Sequence, residues 1–289
     1  GYDYNTDVLD TKGDFIYIMT DKNAPNMKLQ KFDIKNPSVW TDVIPETENV
    51  LSASTGGGYI FAKYMKDAVS YMKQFDYNGK LIREITLPGI GTASNIGGKE
   101  TAKELYYSFS NYITPGTTYK FNVDSGKSEV YQKPKVKFNP DDYVSEQVFY
   151  TSKDGTKVPM MINYKKGTKL SEAPCLLYGY GSYGYTLPDV FSATRLSLLN
   201  RGFVYAQAHI RGEKYMGEQW YQEGKFLAKR NTFTDFINAA EYLGMQGYCN
   251  PEKLYINGGS AGGLLMGAVV NAAPYLFKGV IADVPFVDV

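Results

Sequence analysis

The character of the sequence changes near residue 135, and this change constrains the fold more than any other feature. Before it, short apolar and aromatic runs are separated by Gly, Asn, Asp and Pro, as at 15–19, 58–65, 105–110 and 117–123. Alternating runs rich in Tyr are typical of β-strands. After a polar stretch at 133–147, strand-like and helix-like segments alternate from residue 175 onward. The sequence therefore predicts a mixed fold, with an all-β domain over residues 1–135 and an α/β domain over residues 136–289.

A weak repeat underlies the first domain. The segments "QKFDIKN", "KQFDYNGK" and "YKFNVDSGK" align on Phe32, Phe75 and Phe121. A period of about 40–50 residues made only of strands is typical of β-propeller blades. The repeat predicts a partial propeller of about three blades, fewer than the roughly four to eight that close a ring. Chance similarity between ordinary hairpins is the alternative.

The second domain has the pattern of an α/β sheet. We expect a hairpin over 148–167, strands at 175–181, 203–210, 253–257 and 279–285, and helices at 191–202, 231–247 and 261–271. On helix 231–247 the periodicity predicts a shared buried face for Phe233, Phe236, Ile237, Ala240 and Leu243. Alternating strands and helices predict a mainly parallel sheet with helices on both faces. Sites in such sheets form at the C-terminal ends of the strands.

Composition excludes few classes of function. The 31 basic and 30 acidic residues show no basic stripe or polybasic tail, so neither nucleic acid nor a membrane surface is expected as a partner. Cys175 and Cys249 are expected to be small core residues. No spaced His/Cys cluster or phosphate-binding loop is present, so we expect no metal and no cofactor. The N-terminus lacks a signal-peptide pattern, and the compartment stays open between cytoplasm and periplasm.

The strongest chemical signal is G-x-S-x-G at residues 258–262, within "INGGSAGGLL". An expected strand precedes it and an apolar helix follows, which is the context of a serine nucleophile on a tight turn. Small neighbours let strand and helix approach closely, and the glycines here are Gly258, Gly259, Gly262 and Gly263. The sequence therefore predicts Ser260 as a nucleophile. A Gly-Ser turn that only packs a helix on a sheet is the alternative.

Two groups are candidates to stabilise the oxyanion. The N–H of Ala261 lies at a helix N-terminus, which favours the anion that forms on a substrate carbonyl. A second donor usually originates in the loop after an earlier strand, and here that loop is "LLYGYGSYG" at 176–184. By their type alone, Tyr178, Tyr180 and Tyr183 are equivalent candidates, and each of them can equally be a packing residue.

The general base is harder to find. His209 is the only histidine, and it precedes Ser260, whereas the usual order in this fold is Ser, then Asp or Glu, then His. We therefore expect His209 to have a packing or hydrogen-bonding role. Asp283 and Asp288 follow the serine and are weak candidates for the acid. Segment 211–225, which carries Glu213, Lys214, Glu218 and Glu223, is expected to be a solvated loop, with Trp220 and Tyr221 either lining a pocket or fixing that loop.

Taken together, these segments resemble the prolyl oligopeptidase family of serine peptidases. The resemblance covers nearly all of the chain and is carried by the motifs "FYTSKDGTKVPM", "LLYGYGSYG", "HIRGEKYMGEQWYQEGK", "NTFTDFINAAEYL" and "INGGSAGGLL". It implies a propeller joined to an α/β-hydrolase domain, with Ser260 as nucleophile and Ala261 N–H and the Tyr180 hydroxyl as oxyanion hole. It also implies an acid and a histidine beyond position 289 and further blades before position 1, so we expect a piece of a larger enzyme that is inactive alone.

The resemblance leaves the substrate open. The first part and "FYTSKDGTKVPM" look like prolyl oligopeptidase, which cleaves after proline, whereas "GSYG", "HIRG", "NTFTDF" and "GGSAGG" look like oligopeptidase B, which cleaves after Lys or Arg. Glu213 departs from the Gly that usually stands in "IRGG". We expect a serine endopeptidase acting on short peptides, with a non-catalytic binding module or an exopeptidase or esterase of the same fold as alternatives. An unclosed propeller and an open sheet edge also predict self-association or binding of the missing parts.

Overall fold

The computed structural model describes residues 4–66 and 69–286. The chain divides into two compact units. The first consists of Gly1–Asn111, Pro115–Lys135 and Met216–Glu218, and the second of Tyr112–Thr114, Val136–Tyr215 and Gln219–Val289.

The first unit contains three four-stranded antiparallel sheets, each formed by strands that are consecutive in sequence. Their strands are β1 (Thr6–Lys12), β2 (Phe15–Thr20), β3 (Lys28–Asp33) and β4 (Asn36–Ile44); β5 (Leu51–Gly56), β6 (Tyr59–Lys66), β7 (Val69–Phe75) and β8 (Leu81–Ile85); and β9 (Thr92–Ala93), β10 (Glu104–Ser110), β11 (Thr117–Asn122) and β12 (Ser128–Gln132). Four consecutive antiparallel strands are the unit of a propeller blade, so the fold predicted for this part is confirmed.

The sequence repeat has a structural basis. Phe32, Phe75 and Phe121 lie in the third strands of their sheets, β3, β7 and β11. The residue that follows each phenylalanine turns the chain toward the fourth strand by accepting a backbone N–H two or three residues later. These bonds are 2.8 Å long in all three sheets and join Asp33 to Lys35, Asp76 to Asn78, and Asn122 to Ser125. The repeated Phe-Asp/Asn pair is therefore a strand end followed by a side-chain-capped turn.

Alternation along the strands builds the cores between these sheets. In β10 the buried residues are Leu105, Tyr107 and Phe109, while their neighbours face outward. These three pack with Phe61 from β6 and Phe121 from β11 in one apolar cluster. Period-2 burial of large aromatic side chains is what stabilises such stacked sheets, because each sheet buries one face against the next.

The second unit is built on a six-stranded sheet in the order β13-β14-β16-β15-β17-β18. Its strands are β13 (Tyr143–Thr151), β14 (Lys157–Lys165), β15 (Cys175–Tyr178), β16 (Val204–Ala208), β17 (Leu254–Gly259) and β18 (Gly279–Asp283). The hairpin β13–β14 is antiparallel and β14 pairs antiparallel with β16, whereas β16, β15, β17 and β18 run parallel. The predicted α/β-hydrolase-like sheet is therefore confirmed, and the C-terminal ends of its parallel strands lie side by side.

Four helices accompany this sheet in the described part of the chain. They are α1 (Ala193–Asn200), α2 (Glu218–Gln222), α3 (Arg230–Met245) and α4 (Ala261–Ala272). α1 packs against β14 and β16, and α4 packs against β17, β18 and α3. No helix among residues 4–66 and 69–286 is long and apolar enough to cross a membrane.

The buried face of α3 differs from the predicted one. Phe236, Ala240 and Leu243 are buried as expected, but Phe233 and Ile237 are only half-buried. The buried face is rotated, and it includes Thr232, Asp235 and Ala239. An apolar-periodicity argument cannot detect this rotation, because a buried aspartate looks like a surface residue until its partner is known.

The partner of Asp235 also shows that the expectation of a solvated loop over 211–225 was wrong in part: Glu213 is buried, whereas Lys214, Glu218 and Glu223 are half-exposed. Arg211 is 2% exposed, and its Nε and Nη2 donate to the two carboxylate oxygens of Asp235 at 2.9 and 2.7 Å. Glu213, Tyr215 and Trp220 are buried as well. A bidentate Arg–carboxylate pair satisfies both charges in the interior, which allows the charged start of this segment, around Arg211, to be buried.

Candidate active site

Ser260 occupies the turn between β17 and α4, at the C-terminal edge of the parallel strands. It is exposed, and its backbone has φ +55°, a conformation that a non-glycine residue rarely adopts. Three backbone hydrogen bonds of 2.9 Å hold it: Ser260 N–H donates to the carbonyl of Asp283, and the Ser260 carbonyl accepts from the N–H groups of Gly263 and Phe286. A strained residue of this kind costs about 1–3 kcal/mol and persists only where surrounding bonds enforce it.

The glycines around Ser260 differ in how much space they have. A Cβ at Gly258 would lie 2.4 Å from the carbonyl oxygen of Gly262, and one at Gly263 would lie 2.4 Å from Cα of Pro285. A Cβ at Gly262 would lie 3.0 Å from a carbonyl oxygen of the loop after β15. At Gly259 the nearest atoms are 3.6 Å away, an ordinary contact distance. The close packing of strand, turn and helix therefore requires glycine at Gly258 and Gly263, leaves little room at Gly262 and leaves ordinary room at Gly259.

Ala261 and Tyr180, the two residues that the resemblance assigns to the oxyanion hole, both lie next to this turn. Ala261 is the first residue of α4, so its N–H has no acceptor within the helix. Tyr180 packs against the first turn of α4, with its Cδ2 3.4 Å from the position of a Cβ on Gly262. The ring also makes an edge contact with Tyr185 at 5.6 Å between centroids. Burial and the neighbouring tyrosines raise the pKa of Tyr180, so its phenol stays protonated, and a donor, at neutral pH.

The three tyrosines that the sequence left as equivalent have different surroundings. Tyr178 ends β15 and lines a cavity of about 530 Å³ beside α1. Tyr183 is 68% exposed. Tyr180 is the one whose side chain lies against the start of α4.

His209 lies in a different environment, directly after β16. It is 0% exposed, with Nδ1 3.2 Å from Oε2 of Glu213 and Nε2 3.4 Å from Oδ1 of Asp189. The ring of Tyr215 stacks on the imidazole at 3.5 Å between centroids. Tyr112 and Tyr215 donate their hydroxyls to Asp189 at 2.7 and 3.2 Å. Among the residues that the structure describes, none of the side-chain contacts of His209 involves the Ser260 turn.

The charges of Asp189 and Glu213 determine the protonation state of His209. Burial disfavours the imidazolium, but the hydrogen bonds and charges of Asp189 and Glu213 outweigh burial and raise the pKa of His209 to about 9. Burial raises the pKa of Glu213, and the bond to His209 opposes that rise. A histidine that is protonated at neutral pH is an ineffective general base, because it has no free lone pair to accept a proton.

Of the two aspartates after the serine, only Asp283 is among the described residues. The Asp283 carboxylate accepts a hydrogen bond of 2.9 Å from Nδ2 of Asn257, and its carbonyl accepts the Ser260 N–H. Asp288 lies outside the described residues. Within residues 4–66 and 69–286, no group of three or more His, Cys, Asp or Glu side chains is arranged to hold a metal ion.

Sequence reasoning missed two residues near these sites. Asp189 completes the charges around His209, and Lys229 contacts the loop that carries Tyr180. Asp189 stands in an irregular stretch, and Lys229 stands among other basic residues. Neither has a local pattern that distinguishes it, since both roles depend on segments that meet only in the folded chain.

Comparison with known proteins shows which family this chain is similar to. A model of the prolyl oligopeptidase N-terminal β-propeller domain matches residues 1–134, and a model of the prolyl oligopeptidase family matches residues 189–289. A prolyl endopeptidase of Elizabethkingia meningoseptica is 52% identical over 291 residues, covering 100% of this chain and 41% of that protein. The chain thus spans well under half the length of this relative.

Solved structures agree with the sequence matches. One, from a study of two prolyl endopeptidases and their interdomain dynamics in catalysis and specificity, gives a TM-score of 0.93 at 41% identity, covering 99% of this chain and 43% of that one. Prolyl oligopeptidase B from Galerina marginata, bound to a 25-residue macrocyclization substrate, gives a TM-score of 0.91 at 31% identity, covering 97% of this chain and 40% of that one.

Proposed function

The chain belongs to the prolyl oligopeptidase family of serine peptidases, and from this membership we propose that it carries the nucleophile and the oxyanion hole of an endopeptidase for short peptides. The observation that carries the proposal is the Ser260 turn, an exposed serine held at φ +55° between a parallel strand and a helix N-terminus. Strained backbone conformations of this kind occur most often at functional sites, and here the strained backbone presents the Ser260 side chain at the surface.

The proposed chemistry follows from the groups around this turn. Ser260 Oγ attacks the peptide carbonyl, the amine leaves with a proton, and water then hydrolyses the acyl-enzyme. Ala261 N–H and the Tyr180 hydroxyl donate to the oxyanion of each tetrahedral intermediate. Each donor is expected to contribute about 10²–10³ in kcat.

The proton transfers require a base that accepts the Ser260 proton, and His209 is unsuited to this role. We propose that a histidine and an aspartate outside these 289 residues, as the family resemblance implies, supply it. The 289-residue chain alone is therefore expected to have negligible peptidase activity. Turnover by the isolated chain that disappears in His209→Ala would contradict both statements.

For the substrate, we propose cleavage after proline. The support is the relative that is 52% identical over 100% of this chain and is named a prolyl endopeptidase. The oligopeptidase B-like motifs keep cleavage after Lys or Arg as the alternative. Substrate-bound relatives support short peptides as the general class, since one was solved with a 25-residue substrate.

The experiment compares blocked Pro, Arg and Lys amides with free-amine dipeptide substrates, using the full-length protein that contains this chain. We expect the blocked Pro amide to give the highest kcat/KM, and Ser260→Ala to lower kcat by at least about 10⁴-fold. Preference for Arg or Lys would overturn the proline assignment alone. Preference for free-amine dipeptides would indicate an exopeptidase, and absence of turnover on all substrates would indicate a binding module.

The isolated chain is also expected to self-associate or to bind the complementary parts of the enzyme. β18 is an edge strand, and its Val280 and Ile281 are 39% and 48% exposed. Unpaired strand edges with apolar side chains are sites of intermolecular pairing. Sedimentation of the 289-residue chain as a monodisperse monomer would contradict this expectation.

A further inference from the structure

The side chain of Lys229 contacts the loop that carries Tyr180. Lys229 immediately precedes α3, and its Nζ donates to the carbonyl oxygen of Gly181 at 2.5 Å and to Oγ of Ser182 at 2.8 Å. These two acceptors belong to the residues directly after Tyr180. One ammonium group thus fixes both the backbone and a side chain of this loop.

The environment of this ammonium is unusual for a lysine. The acceptors of its Nζ are a carbonyl and a hydroxyl rather than carboxylates, and Nζ lies 5.9 Å from the ring centroid of Phe233. Burial lowers the pKa of Lys229 to about 8. Lys229 is half-buried, and a charge partly withdrawn from water is costly unless polar groups solvate it; here neutral acceptors of a single loop do so.

The loop is tightly fitted on the same side. Gly181 has φ +69°, and a Cβ there would lie 2.3 Å from Cγ2 of Thr232 and 2.9 Å from Cδ1 of Ile210. The hydroxyl of Thr232 donates to the Arg211 carbonyl at 2.7 Å, which fixes the wall against which the loop lies. The start of α3 therefore holds the loop from one side, while Tyr180 packs on α4.

We propose that Lys229 is a positioning residue for Tyr180: by holding Gly181 and Ser182, it sets the place of the Tyr180 hydroxyl relative to the substrate oxyanion. This inference rests on the proposed function, because it gives Lys229 a part in that same reaction. Oxyanion donors act only within narrow distance limits, so a displacement of about 1 Å costs up to about 10²-fold in rate.

The test is a double-mutant cycle in the full-length enzyme, with a blocked peptide amide as substrate. Lys229→Met keeps an unbranched apolar side chain, one heavy atom shorter than lysine, and removes the hydrogen-bond donors. We expect kcat to fall by about 10-fold to 10²-fold with KM changed less than about 2-fold, because the hydrogen bond that Tyr180 then makes poorly, to the oxyanion, forms only in the transition state. In the Tyr180→Phe background the same substitution should change kcat by less than about 2-fold, since the group that it positions is already absent.

Lys225→Met is the matched control. Lys225 lies four residues earlier, with Nζ 4.2 Å from the ring centroid of Tyr221, and its loss should leave kcat unchanged within about 2-fold. A general loss of stability would lower kcat equally with and without the Tyr180 hydroxyl, so additivity of Lys229→Met and Tyr180→Phe would overturn the proposal. An unchanged kcat in Lys229→Met would do the same.

If Lys229→Met does not fold, Ser182→Ala examines the same contact by removing one acceptor. It should lower kcat by a few-fold in the wild-type background and leave it unchanged beside Tyr180→Phe, and any other pattern overturns the proposal. An enzyme in which Tyr180→Phe is impaired but neither Lys229→Met nor Ser182→Ala is impaired retains the proposed function and loses only this inference. Absence of wild-type turnover removes both.

Discussion

Ser260 and His209 both follow parallel strands of one sheet, yet their environments are opposite. Ser260 is exposed and held in a strained backbone conformation, and Ala261 beside it is the first residue of α4. His209 is fully buried, with each ring nitrogen within 3.4 Å of a carboxylate oxygen. The serine is exposed, whereas the histidine is enclosed by Asp189, Glu213 and the ring of Tyr215. Residue type and position on a strand end are therefore not enough to assign a catalytic role.

The free-energy contributions of the two sites also differ. At the Ser260 turn, hydrogen bonds and missing Cβ atoms stabilise a conformation that is locally unfavourable. At His209, removing the imidazolium would take a positive charge away from two buried carboxylates, which is strongly destabilising. The comparison predicts that replacing Ser260 changes reactivity and that replacing the glycines around it disturbs the packing of the turn. Replacing His209 should lower the stability of the fold without changing the reactivity of Ser260.

The largest effect is expected for His209→Asn. Loss of the imidazolium removes a positive charge from between the buried carboxylates of Asp189 and Glu213, which should lower the free energy of unfolding by about 3–5 kcal/mol. Urea denaturation measures this change. The rate at which a fluorophosphonate labels the folded fraction of the full-length protein should change less than about 2-fold. Abolished labelling with unchanged stability would make His209 the base and remove the contrast.

A smaller difference in the free energy of unfolding is expected between alanine substitutions of Gly258 and Gly259, two neighbouring glycines of the Ser260 turn. Gly258→Ala places a methyl group 2.4 Å from a backbone oxygen and should destabilise the protein by about 1–3 kcal/mol. Gly259→Ala is the matched control, because the atoms nearest to its methyl group, in Asp283, are 3.6 Å away. It should lower the free energy of unfolding by about 0.5 kcal/mol or less. Thermal and urea unfolding measure both variants. Equal destabilisation would show that the turn is not packed as the structure has it.

The smallest effect is a pH dependence of stability from His209. Its pKa is about 9 in the folded protein and about 6.5 in the unfolded chain. A raised pKa means that the contribution is fully present below pH 6.5 and is lost as the pH rises through about 9. Between pH 7 and 8 the free energy of unfolding should fall by about 1 kcal/mol more in the wild type than in His209→Asn. Ser260→Ala serves as control and should show the wild-type slope.

The same contrast explains what sequence alone reveals. The blade repeat and the strand–turn–helix around Ser260 are local, since Phe32 and its turn, or Gly258 and its serine, are close in the chain. The cluster of His209 with Asp189 joins segments 20 residues apart, and Glu213 looked like a solvent-exposed residue until its partner was known. The choice among Tyr178, Tyr180 and Tyr183 likewise depended on which side chain packs on α4. The roles of Ser260, Ala261 and Tyr180 stay predictions.

Covalent labelling tests the central claim most directly. The full-length protein is treated with a fluorophosphonate, digested, and its modified peptide is identified by mass spectrometry. We predict one stoichiometric adduct on Ser260, absent in Ser260→Ala and retained in His209→Asn at a comparable rate per folded molecule. An adduct on another residue, or no adduct on a protein that is folded, would contradict the assignment of Ser260 as the nucleophile.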